Sequence, residues 1–263
     1  MKRNLLLISF FYLSLLSNAN STNISEGIYA LHVINKSYSG PLFTAGRFSD
    51  NKKIHVTSVN GHLDSTELQL FAKNDSLYLI TLYDQNQHYP QLTSKDLSKS
   101  YLIVRLASGE YCLQTRKIQT RHIGSLTSEK KINLKRRSVI FGCSLLDIAY
   151  TPYYAKIVSL KFSNRENINI GISNFSKNVC VEYNHHRYIS KLGIDENDVL
   201  DLKYSRSKDS LYLAISNFTN KEHIAISSYS NAKNNARLTF GDPFEGFNAA
   251  EHRIHFIRIL NSR

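Results

Sequence analysis

Tryptophan is missing altogether from this 263-residue sequence, methionine occurs once and proline four times. With proline scarce and no Gly/Ser-rich or Pro-rich stretch, nothing in the composition marks an interdomain linker. Residues 20–263 therefore read as one domain. Three cysteines, Cys112, Cys143 and Cys180, are too few for a disulfide scaffold. No C-x-x-C pair or Cys/His cluster has metal-ligand spacing, so no metal site is expected. There is no Gly-x-Ser-x-Gly nucleophile turn and no glycine-rich phosphate loop, which removes the local signatures of serine hydrolases and nucleotide binders. No cofactor is expected. Long helical periodicity is almost absent as well, and GHLDSTELQLFAKN (61–74) is the best helical candidate.

What is present first is a leader-like N-terminus. In MKRNLLLISFFYLSLLSNA (1–19), Lys2 and Arg3 precede an apolar run that ends at the small-residue pattern Ser17-x-Ala19. That is the pattern of a cleaved signal peptide, too short to remain as a membrane span. The expectation is an exported protein, secreted or periplasmic, that is not integral to a membrane. In an oxidising compartment an odd number of cysteines allows one bridge and one leftover thiol, with Cys112–Cys143 as the candidate bridge.

The charge is lopsided: 33 Lys and Arg against 21 Asp and Glu, a formal net charge of +12. Much of the excess lies in RKIQTRHIGSLTSEKKINLKRR (116–137), which reads either as a solvated face or as a contact for an anionic cell surface. No nucleic-acid partner is expected.

Short alternating runs dominate the rest. GIYALHVI (27–34), LYLITLY (77–83), YLIVRLA (101–107), AKIVSLKF (155–162), INIGIS (168–173), VLDLKYS (199–205), LYLAIS (211–216), HIAISSYS (223–230) and RIHFIRIL (253–260) all have strand character. They are rich in β-branched residues and Tyr, and are bounded by Asn, Asp, Ser and Gly. Many strands without crossover helices imply an all-β, two-sheet antiparallel jelly-roll sandwich. His252 and His255, three apart on one strand, should face opposite sides and cannot share an ion. Asp84-Gln85 ends a strand, with the Asp carboxylate placed to accept from the N–H groups of the following turn.

SYSGPLFTAGRFSDN (37–51) followed by LYLITLYDQ (77–85) resembles the start of the catalytic domain of α-L-arabinofuranosidase B. The Tyr-Asp-Gln strand is also similar to one in the concanavalin A-like lectin superfamily. Near the other end, RLTFGDPFEGF (237–247) resembles the arabinofuranosidase family's strand into Gly-Gly-Asp and its later Glu-Gly. The resemblance implies a concanavalin-like jelly roll that handles glycan or polysaccharide. It places Asp242 at the general acid/base and Glu245 at the Glu-Gly. The family's nucleophile run falls on IGISNFS (170–176), where Ser173 stands at the Glu position and is followed by Asn174. Retaining hydrolysis needs two carboxylates. On this match one is missing, which implies a sugar-binding site at Asp242, Glu245, Ser173 and Asn174 without turnover. Glu196, in Asp195-Glu196-Asn197, and Glu182 are the alternative nucleophiles that would make the chain an arabinofuranosidase-like glycoside hydrolase. A second alternative is an adhesin or toxin-associated subunit, for which an exposed Cys180 joined to another chain would be the sign. The absence of Trp leaves Tyr89, Tyr153 and Tyr154 as candidate stacking platforms for sugar rings.

Overall fold

A computed structural model describes residues 25–118, 121–135, 137–147, 154–162, 167–173, 178–183, 186–193, 199–206, 211–216, 220–226, 234–241 and 251–261. In chain order the strands begin with β1 (Ser25–Ala30), β2 (Pro41–Arg47), β3 (Lys53–Val59) and β4 (His62–Leu63). Helix α1 (Ser65–Ala72) follows, then β5 (Leu77–Leu82), β6 (Leu92–Thr93), β7 (Leu102–Arg105) and β8 (Tyr111–Gln114). The basic stretch contributes β9 (Arg116–Ile118), β10 (Arg121–Ile123), β11 (Ser125–Ser128) and β12 (Ile132–Asn133). Then come β13 (Arg137–Asp147), β14 (Tyr154–Lys161), β15 (Asn167–Ser173), β16 (Asn178–Tyr183) and β17 (His186–Gly193). The chain continues through β18 (Val199–Arg206), β19 (Leu211–Ser216), β20 (Lys221–Ile226), β21 (Asn235–Gly241) and β22 (Glu251–Asn261). The expected helix forms because the Asp64 carboxylate caps Glu67 N–H and Lys73 closes it in the left-handed region.

The pairing resolves into two antiparallel layers. One is ordered β1-β22-β13-β18-β19-β20. The other is ordered β3-β2-β5-β6-β11-β21-β14-β15-β16-β17. β8 and β7 carry the hydrogen bonding from β22 across to β5, so the layers join along one side. On the other side the Glu222 carboxylate of β20 accepts from Lys191 N and Leu192 N of β17, at 2.8 and 2.9 Å. Between the layers lies an apolar core in which Phe141 of β13 meets Phe240 of β21 edge to face at 5.7 Å. The fold is an all-β sandwich.

The Tyr-Asp-Gln triplet after β5 is the knot that ties down β1. Asp84 is buried, and its Oδ1 accepts from Ile28 N (2.7 Å) and Asn86 N (3.0 Å). Its Oδ2 accepts from His88 N and Tyr89 N, both at 2.9 Å. The Gln85 amide oxygen accepts from Ile34 N and Asn35 N, while its nitrogen donates to His32 O at 2.7 Å. These bonds stop β1 at Ala30, earlier than the run 27–34 suggests, because Gln85 holds the backbone of 32–35 in the place of a neighbouring strand. The Arg47-x-x-Asp50 segment is structural too. Arg47 Nε donates to Asp50 Oδ1 at 3.0 Å and Nη1 to Phe71 O at 2.7 Å. The guanidinium holds the Asp50 carboxyl well below the usual carboxylate range.

No Cys112–Cys143 bridge forms. Leu113 of β8 pairs with Ile254 of β22, which pairs in turn with Cys143 of β13, so a whole strand separates the two cysteines. Two strand spacings are about 10 Å, beyond the reach of a disulfide. Alternation also puts Cys143 on the core face with Leu113 and sends Cys112 to the outer face. Both are buried thiols, and burial pushes Cys112 up to about 12.

The segment 116–137 is not one uniform basic patch. β11 lies in the middle of the ten-strand layer. Arg116 stacks over Phe48 at 5.2 Å, Lys131 donates to Phe162 O, and Arg137 donates to Asn133 O.

The two histidines of β22 do part. His252 points inward, fully buried, with Nε2 2.9 Å from Tyr101 Oη. A bulge between Ile254 and Phe256 leaves His255 on the outer side, 3.0 Å from Ser144 Oγ. Burial raises the Tyr101 hydroxyl well above its ordinary pKa, so it stays protonated. Replacing Tyr101 by Phe is expected to cost about 1–2 kcal/mol, seen as a lower urea midpoint at unchanged slope. An unaltered midpoint would show that this bond contributes nothing to stability.

Candidate functional site

Strand alternation sends Leu238 and Phe240 into the core and turns Thr239 outward. The same rule turns Ser159 outward between Val158 and Leu160, Asn169 between Ile168 and Ile170, and Glu182 between Val181 and Tyr183. The register then sets these residues side by side. Thr239 faces Ser159, Ser159 faces Asn169, Asn169 faces Glu182, and Glu182 faces Arg187. In the other direction Thr239 faces Thr127, which faces Thr93, then Thr81, Thr44 and His55. One polar residue from each of ten strands thus forms a continuous row across the outer face of the larger layer. At about 4.8 Å per strand its length is about 43 Å.

The row is internally hydrogen-bonded. Ser159 Oγ donates to Asn169 Oδ1 at 2.6 Å, and the Thr127 and Thr239 hydroxyls lie 3.3 Å apart. Thr44 Oγ1 is 2.9 Å from His55 Nδ1 and 3.0 Å from Tyr83 Oη. Most of the row is recessed: Thr44, Thr81, Thr127, Thr239, Ser159 and Asn169 are all buried although they face away from the core, whereas Thr93 and Glu182 are half-buried and His55 and Arg187 at the two ends are exposed. β-Branched Thr suits strands, and cross-strand Thr pairs stabilise a sheet modestly. A run of ten polar positions in one register goes beyond that need. What it offers chemically is a strip of hydroxyl and amide groups at regular spacing, partly bonded to one another, with the carboxylate of Glu182 and the guanidinium of Arg187 at one end.

Ser173, the last residue of β15, lies on this same outer face two positions beyond Gly171 and opposite Tyr154 of β14. Gly241 ends β21, on the other side of β14. The ends of β15 and β21 therefore open at the same end of the layer, two strands or about 10 Å apart. The glycine before Asp242 is required: its φ is +74°, and a Cβ there would meet the Gly124 carbonyl oxygen. Asn174, Glu196, Asp242 and Glu245 lie outside the described residues, as does Tyr153. Glu182 belongs to the row, four residues back along the sheet from the Ser173 level. Cys180 faces outward beside Gly171 yet is fully buried, and burial pushes its thiol up to about 11. It is neither an exposed bridge to another chain nor a ready thiolate. Among the described residues no group of three or more His, Cys, Asp or Glu could hold a metal ion. No described helix is long and apolar enough to cross a membrane.

No protein-family model and no curated protein matches the sequence. Solved structures do match in shape. An arabinofuranosidase complexed with arabinofuranosyl-α-1,2-xylobiose superposes with a TM-score of 0.66 at 11% identity, over 94% of this chain and 61% of that one. The chain has an arabinofuranosidase-type fold. A GH54 α-L-arabinofuranosidase mutant soaked with 4-nitrophenyl α-L-arabinofuranoside gives 0.64 at 12% identity, again over 94% of this chain and 61% of that one. A Trypanosoma rangeli sialidase superposes more loosely, at 0.50 and 7% identity over 83% of this chain and 42% of that one. The chain thus spans 61% of the length of the arabinofuranosidases it matches, and at such identity the likeness is one of fold. The polar row has no signature in the sequence. Thr239, Ser159 and Asn169 each look like an ordinary outward strand position, and only the pairing register reveals that they share a row.

Proposed function

We propose that this chain is an exported glycan-binding sandwich that holds an extended sugar chain along the polar row and does not hydrolyse it. The observation that carries this reading is the row itself, ten polar residues in register on the outer face of an arabinofuranosidase-type sandwich. Its hydroxyl and amide groups recur at the spacing of neighbouring strands, which suits the repeating hydroxyls of a polysaccharide better than a single terminal sugar. Ser173, where the family resemblance puts the nucleophilic Glu, supports the non-catalytic part, because a hydroxyl in place of that carboxylate leaves retaining hydrolysis one carboxylate short.

Two measurements test the proposal. On a glycan array the purified protein is expected to retain extended plant, bacterial or host polysaccharides, and Thr239→Val, which keeps the shape but deletes the hydroxyl, is expected to weaken that binding about tenfold. An array silent across all classes would count against glycan recognition. With an aryl α-L-arabinofuranoside no turnover above buffer is expected. Turnover abolished by Asp242→Asn would instead establish a hydrolase.

A further inference from the structure

We infer that the polar row takes an acidic glycan, one bearing uronate or sulfate groups, and that Arg237 holds the anionic group. This rests on the glycan-binding reading above and adds the class of sugar. Arg237 stands on β21 two positions before Thr239, hence on the same outer face and one row away. Directly opposite it on β14 is Lys161, followed on β15 by Asn167. The Nε of Arg237 is buried and makes no hydrogen bond within the protein. A buried donor left unmatched is costly, and natural folds rarely tolerate one without a reason. A carboxylate or sulfate brought by a ligand would supply the acceptor this guanidinium lacks, since its planar fork matches either group.

The surroundings have the same sign. Lys156, opposite Gly171, stands on the other side of the Ser159–Asn169 pair. The floor between Lys161 and Lys156 is therefore hydroxyl and amide, flanked by cations, with Glu182 and its facing Arg187 further along the row. Neutral floor suits sugar hydroxyls, and the cationic flank suits an acidic substituent.

Titration calorimetry of the full chain at fixed ionic strength provides the test, with polygalacturonate, chondroitin sulfate and neutral arabinoxylan as ligands. Wild type is compared with Arg237→Gln, with Arg237→Lys, and with Lys36→Gln as a charge-matched change at an exposed loop position. Wild type is expected to prefer at least one acidic polymer over arabinoxylan by about tenfold or more. Arg237→Gln should lose about tenfold of that affinity, as for a charge-assisted hydrogen bond. Arg237→Lys should fall between, because it keeps the charge and loses the fork, and Lys36→Gln should match wild type. Equal affinity for acidic and neutral polymers, or equal losses in Arg237→Gln and Lys36→Gln, would overturn the acidic assignment and leave glycan binding standing. Binding to none of the three polymers, together with a silent array, would overturn both.

Discussion

Asp84→Asn is expected to destabilise the fold by about 2–6 kcal/mol, because this carboxylate holds backbone rather than facing a site. Its two carboxylate oxygens accept from four backbone N–H groups, two each. Asparagine replaces one oxygen by an NH2 group, which then points at donors. If the amide nitrogen takes the Oδ2 place, His88 N and Tyr89 N lose their acceptor. If it takes the Oδ1 place, Ile28 N and Asn86 N do. Either way two donors lose their acceptor at a residue only 4% exposed, and each costs about 1–3 kcal/mol. For a chain of this length the loss corresponds to a melting temperature lower by roughly 10 °C. Because Ile28 is part of β1, the strand should fray from β22, and hydrogen exchange at Ile28 and Tyr29 should quicken before the rest of the sheet. A drop of less than about 1 kcal/mol would mean that water replaces the carboxylate without penalty and that β1 is held by its pairing with β22 alone.

How far this was legible beforehand depends on the range of each interaction. That Asp84 closes a turn follows from local chemistry, since three of its four donors lie at or after position 86. Gln85 is different: its partners at 32–35 are some fifty residues upstream, and no local pattern announces them. The same division runs through the fold. Strands such as INIGIS and RIHFIRIL show their alternation openly. β13 shows no such alternation, because Val139-Ile140-Phe141 is a continuous apolar run starting beside a basic cluster, with no polar residue to mark its outer face. The Cys112–Cys143 expectation failed for a related reason, since counting cysteines cannot reveal that β22 lies between their strands. The polar row depends on register, and register here is adjusted by bulges at Leu42, Ile80 and Ile157 that no turn signal betrays. Thr81, Ser159 and Asn169 lie in runs whose alternation already turns them outward, whereas the alignment of ten residues follows only from the pairing.

A steep loss of stability between pH 6.5 and about 4 is the other large effect, and its origin is two histidines outside the core. His32 and His255 both have pKa values lowered to about 4, in each case first by burial and then by arginine charge. Arg258 acts on His32, while Arg253 and His32 itself act on His255. Arg253 is fixed by a 2.9 Å bond from its Nε to Gln114, and Arg258 lies over Phe256 at 5.5 Å, so the positive field is held in place. In the unfolded chain each imidazole takes up its proton near pH 6.5, whereas in the fold it does so only near 4. Below 6.5 the unfolded state therefore binds more protons, and stability falls with pH until the folded pKa is reached. At about 1.4 kcal/mol per unit, each histidine accounts for about 3 kcal/mol by pH 4. The two do not add fully, because each charge is part of what repels the other. Asp50, Asp75 and Asp96 have lowered pKa values, so their linkage begins only around and below their unfolded value of about 3.8, at the acid edge of the histidine window. His255→Gln retains a side chain that can bond Ser144 and cannot charge. Urea unfolding across pH 7.5 to 4.5 should show roughly half the wild-type loss in this variant and little difference at pH 7.5. Identical slopes in the two proteins would mean that His255 takes its proton in the folded state as easily as in the unfolded one, and that the arginines beside it are screened by water.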